Sequence, residues 1–168
     1  MAMSHSHTGV PVSREHEEHA RNHYGRLLVM TILSFIAMYV LMYAMVDSID
    51  NVLHNVNQVY MAGLMAAAMV IIELVVMRGM YRSRALNALV ITLSIAALAG
   101  FWLAIRGQGG VGDRQFLRSM IPHHASAILM CSQAGVRDRE IQQLCQSIID
   151  SQADEIRQMK AKLAALDA

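Results

Sequence analysis

Three apolar runs constrain this chain more than any other feature. Leu27 to Val46, Val59 to Met77 and Ala85 to Ile105 are each long enough to cross a hydrocarbon core of about 30 Å at about 1.5 Å per helical residue. The first and third contain no Asp, Glu, Lys or Arg, and the second contains only Glu73, so each reads as a membrane helix. Composition agrees. Apolar residues make up 55% of the 168 and charged residues 16%, against roughly 25% charged in soluble domains, which excludes disorder and argues for lipid contact. The first 26 residues hold His and charge without an apolar signal core, so the first run is expected to stay as an anchor. The layout expected is a His-rich segment 1–26, a three-helix membrane domain 27–106, a Gly-rich linker 107–112 and a helical hairpin 113–168.

Flanking charge sets the expected orientation, because basic loops stay cytoplasmic. The loop 47–57 has no Lys or Arg, whereas Arg78, Arg82 and Arg84 lie between the second and third runs, and Arg14, Arg21 and Arg26 precede the first. Arg106, Arg114 and Arg118 dilute the bias. The expectation is a bacterial inner-membrane protein with its N-terminus cytoplasmic and its C-terminal region periplasmic. His16, His19 and His23 recur at helical spacing before the first run, as a metal face or as part of a solvated amphipathic helix.

Four glycines in Gly107–Gly112 break regular structure, and a flexible tether of this length reaches only about 13 Å, so the C-terminal region must sit against the membrane. Asp113 is expected to cap a helix from Arg114 to about Gln133, bent at Pro122, and Asp138 a second helix to about Leu166. The short connection makes them an antiparallel αα-hairpin. Two helices enclose little core, so pairing with a second hairpin into a four-helix bundle, and hence a homo-oligomer, is expected.

Fourteen Met and eight His beside two Cys bias the chain toward thioether and imidazole donors, which suit soft or borderline metals. Met120, His123, His124, Met130 and Cys131 fall within the first hairpin helix, and Cys145 and Met159 on the facing helix. Together they favour Cu(I), with Zn(II) as competitor. The alternative is that Met and Cys fill the seam while the histidines bond to Gln152 or Glu155. Cys131 and Cys145 also suit a disulfide, a ligand pair or two inert thiols. In the membrane, Met38, Met42 and Met45, and Met61, Met65 and Met69, form two stripes. Facing each other they could relay Cu(I) toward His54; otherwise they pack.

The stretch Phe116-Leu-Arg-Ser-Met120-Ile-Pro-His123-His124, continuing to Met130, and the later Gln152-Ala-Asp-Glu155-Ile-Arg-Gln-Met159 closely resemble the bacterial family known as domain of unknown function 305. The resemblance covers about residues 113 to 163. It implies a ferritin-like helical bundle, usually exported, with some members linked to copper binding and tolerance. It also implies metal binding at Met120, His123, His124, Met130 and Met159, while Cys131 and Cys145 rest on geometry alone.

Di-iron chemistry is not expected, since neither Glu140 nor Glu155 stands three residues before a His. No nucleophilic triad, Walker loop or dinucleotide turn is present, and a net charge of +1 gives no sign of nucleic-acid binding. The function expected is therefore non-enzymatic: a membrane-anchored protein that binds copper for sequestration or hand-over to a metal-transfer partner. The alternatives are a metal-free oligomerising scaffold and a subunit of a metal transporter.

Overall fold

The computed structural model describes the backbone of residues 12–167 and the side chains of residues 23–167. Every regular element among them is helical: α1 Val12–Leu41, α2 Val56–Val76, α3 Arg84–Gly107, α4 Asp113–Gln133 and α5 Arg139–Asp167. Lipid offers no partner for backbone N–H and C=O groups, and helices satisfy these groups internally. His23–Met45, Val56–Val76 and Arg84–Gly107 are long and apolar enough to span a membrane, which fits a membrane protein. The N-terminal helix runs into the first span without a break. The side chains of His16 and His19 lie outside the described residues.

The first span ends differently from its hydropathy profile. Regular α-helix stops at Leu41 and tightens into a 3₁₀ turn, Met42–Met45, with Val46 N–H donating to Tyr43 O at 3.0 Å. Such a turn satisfies carbonyls that a helix end leaves unpaired. The loop between this turn and α2 is fastened back to α1. Tyr43 Oη donates to Leu53 O at 2.8 Å, and Tyr39 hydrogen-bonds both Tyr43 and His54. His54 is thus engaged by a tyrosine pair. Asn55 caps α2 by accepting from Gln58 N–H at 2.9 Å.

Within the spans α2 is the central helix and packs against both α1 and α3. Its buried face is mostly small, with Ala62, Gly63, Ala66 and Ala67. Small residues let helix axes approach closely where lipid and protein are equally apolar. At Gly63 the Phe101 ring of α3 occupies the space a Cβ would take, 2.5 Å from its ideal position. Nearer the other end, Leu27, Val70, Leu74 and Tyr81 form a buried cluster to which Met69 adds. Glu73, the one acid in a span, accepts from Tyr81 Oη at 3.3 Å. Tyr24 closes this end by donating to Asn87 Oδ1 at 2.7 Å.

The helical hairpin forms, with two differences in detail. Gly112 stands at the N-cap of α4 and Asp113 is its first residue, where a carboxylate favours the helix dipole without capping a backbone N–H. Asp138 does cap α5, accepting from Glu140 and Ile141 N–H at 2.9 and 3.1 Å. The second difference concerns the core. Ile121, Ala125 and Ile156 are buried between α4 and α5, and Val46 and Leu53 from the loop after α1 pack on them with Met159 and Leu163. The hairpin thus covers part of its apolar seam with its own chain's anchor.

Replacing Gly63 by Ala should push α2 from α3 and destabilise the fold by about 1–3 kcal/mol. Thermal unfolding in detergent reads the loss, and adding Phe101→Leu should recover part of it.

Candidate functional site

The two adjacent histidines of α4 end in opposite surroundings because one helix step of about 100° turns His124 into the hairpin seam and His123 out of it. His124 is 7% exposed. Its Nδ1 lies 2.9 Å from Met120 O, and its Nε2 lies 2.7 Å from Glu155 Oε2 on α5. A carbonyl only accepts, so Nδ1 donates its N–H there, and Nε2, the nitrogen left for a metal, meets a carboxylate that likewise only accepts. Glu155 occupies that position, and a metal at His124 would have to displace it.

His123 is exposed and has no hydrogen-bond partner among the described residues, its ring 6.1 Å from that of His124. With Met120, one turn earlier, it lines a cavity of about 320 Å³ between α4 and the ends of α1 and α2. Met42 and Met45 of the 3₁₀ turn and Met61 of α2 line the same cavity. The sequence alone places Met42, Met45 and Met61 on membrane stripes and Met120 and His123 in the hairpin, without joining the two sets. The signal for their meeting is positional: the short linker returns α4 to the ends of the spans where these methionines lie.

The remaining predicted donors stand apart. Met159 packs in the hairpin core, and Met130 is 57% exposed. Cys131 and Cys145 are free, half-buried thiols close enough to hydrogen-bond, and that bond, followed by burial, pushes the Cys131 thiol above its ordinary range. A thiol so held yields its thiolate less readily, and the thiolate is the metal ligand. The seven predicted residues are therefore divided among the cavity, the His124–Glu155 pair, the core, the surface and a cysteine pair near the turn. Among the described residues no group of three or more His, Cys, Asp or Glu is placed to hold a metal.

Three apolar span-length helices carrying a short helical hairpin define the class of protein, a helical protein suited to membrane anchorage. The chain belongs to the family described as domain of unknown function 305, whose sequence model matches residues 73–163, more than half its length. The match begins near the end of α2 and so takes in α3 as well as the hairpin, a longer unit than the motifs alone suggest. The chain is also 34% identical over 140 residues to an uncharacterized protein of Acanthamoeba polyphaga mimivirus, spanning 82% of this chain and 90% of that relative. No solved structure matches it.

Glu155→Ala should destabilise the hairpin by leaving a buried imidazole nitrogen unpaired, at the low end of about 1–3 kcal/mol because the carboxylate is half exposed. Chemical denaturation in detergent measures it. Mild oxidation with diamide should consume both thiols within one chain. A disulfide-linked dimer as the main product would contradict the facing arrangement of Cys131 and Cys145.

Proposed function

We propose that this is a non-enzymatic, membrane-anchored protein that captures Cu(I) on the hairpin side of the bilayer, for sequestration or hand-over to a partner. Its setting in this reading is a bacterial inner membrane with the hairpin in the periplasm. One observation carries the reading: of the two adjacent histidines, His124 is occupied by Glu155 while His123, beside Met120, makes no hydrogen bond among the described residues and lines a cavity. An imidazole and a thioether left together suit a soft cation. The family resemblance, through members linked to copper, supports the same assignment.

Assembly belongs to this reading. Beyond the part that Val46 and Leu53 cover, α5 exposes Ile141 and Leu144, apolar surface that a second hairpin would bury. The same surface favours the second reading, a metal-free scaffold that uses the hairpin only to oligomerise.

Cu(I) titration of the full chain in detergent, against a chromophoric competitor, separates them. His123→Ala should lower affinity at least as much as loss of an outer-shell partner does, about 10-fold or more. Unchanged affinity and stoichiometry would leave the scaffold. Crosslinking in detergent should show more than one chain, and Leu144→Glu should reduce it.

A further inference from the structure

Copper capture as proposed asks only that the hairpin bind the ion. The cavity carries a more specific conclusion, which rests on that reading. We infer that the cavity between α4 and the ends of α1 and α2 is a composite site for a soft monovalent cation, Cu(I) or Ag(I). Three of its donors come from the membrane anchor, Met42, Met45 and Met61, and two from the hairpin, Met120 and His123.

The chemistry of the lining selects the ion. Its soft donors are four thioethers and one imidazole, beside the amide and hydroxyl groups of Asn55, Asn57, Gln58, Ser119 and Ser126, and among the described residues no Asp, Glu or Cys lines the cavity. Zn(II) is bound through thiolate, imidazole or carboxylate, and Ca(II) or Mg(II) through oxygen sets in which carboxylates lead. Thioether-rich sets select Cu(I), and Ag(I) shares its charge and softness. Zn(II), the competitor admitted by the whole donor inventory, loses its case here because both cysteines lie elsewhere.

The position fits as well. Met42 and Met45 sit in the 3₁₀ turn, so the tightening of α1 at Leu41 fixes which way their side chains leave the helix end. Met61 lies about 8 Å along α2 from its start, at 1.5 Å per residue. Met45 and Met61 are both exposed, 51% and 40%, so neither side chain is locked into a packed core.

A metal held by both donor sets would add a further tie between the hairpin and the anchor on which it already rests. The test uses the full chain in detergent and Ag(I) as an air-stable probe, with Cu(I) under reducing conditions as confirmation. Two variants are compared with the unaltered chain: Met42→Leu/Met45→Leu/Met61→Leu on the anchor side and Met120→Leu/His123→Ala on the hairpin side. Met-to-Leu changes conserve volume and leave folding largely intact, which circular dichroism checks. Both variants should weaken Ag(I) binding by at least about 10-fold. X-ray absorption should show a first shell dominated by sulfur, and equimolar Zn(II) should not displace the probe. If only the hairpin variant weakens binding, the composite site is overturned while hairpin capture stands. If only the anchor variant does, the hairpin is no donor and the composite site is again wrong. If neither does, both readings fall, and displacement by Zn(II) would overturn the choice of ion. Should the triple variant misfold, Met61→Leu alone serves, with at least a measurable loss expected and no loss counting against the site.

Discussion

The short connection from α3 to α4 governs the arrangement of everything beyond the membrane spans. Only Gln108–Gly112 separate the two helices, and those residues are pinned. Tyr60 Oη donates to Gly109 O at 2.7 Å, and Asn57 Nδ2 donates to Gln108 Oε1 at 3.0 Å. Gln115, in the first turn of α4, accepts from Val56 N–H at 3.1 Å. Gln108 and Gly110 both adopt positive φ, 49° and 70°, and the reversal would strain most side chains at the second position. With α4 fixed in this way, Val46 and Leu53 become part of the hairpin's core and the cavity acquires walls from three helices.

The two histidines show how one short motif can serve packing and chemistry together. His124 joins α4 to α5 through Glu155, an interaction that helps hold the hairpin closed. His123 makes no such bond among the described residues. A residue without a structural task is free to take a functional one, whereas His124 can reach a ligand only by giving up its carboxylate.

Much of this was legible in the chain because the signals are local. Span-length apolar runs, the glycines of the linker and Asp138 as a cap each depend on residues near one another, and the structure reproduces them. The family was legible too, from the Met120-to-His124 motif, though its extent into α2 was not, since the apolar residues of α3 carry little beyond hydropathy. The arrangement of the donors was the least legible part. Helical spacing places Met120, His124 and Cys131 on one stripe, but it cannot say that Glu155 fills the space beside His124 or that the cysteines face each other near the turn. Nor can it bring Met42 or Met61 to Met120, because that meeting depends on the loop after α1 and the linker before α4 acting together. The expectation of a homo-oligomer rests on a hairpin too small to bury its seam; the cis contribution of Val46 and Leu53 weakens that ground for one part of the seam and leaves it for the part near Ile141 and Leu144.

The placement of α1 has a mechanical consequence. This helix rests chiefly on α2, and Leu28, Val29, Ile32, Leu33, Ile36 and Val40 along its length are exposed to the surroundings of the spans. The tilt of such a helix is set by its packing and its anchors, here α2 along its length and the Tyr24–Asn87 and Tyr43–Leu53 hydrogen bonds near its two ends. Met42 and Met45 ride on its end, so the contacts that fix this tilt also fix where two of the cavity's five sulfur and nitrogen groups stand relative to the other three.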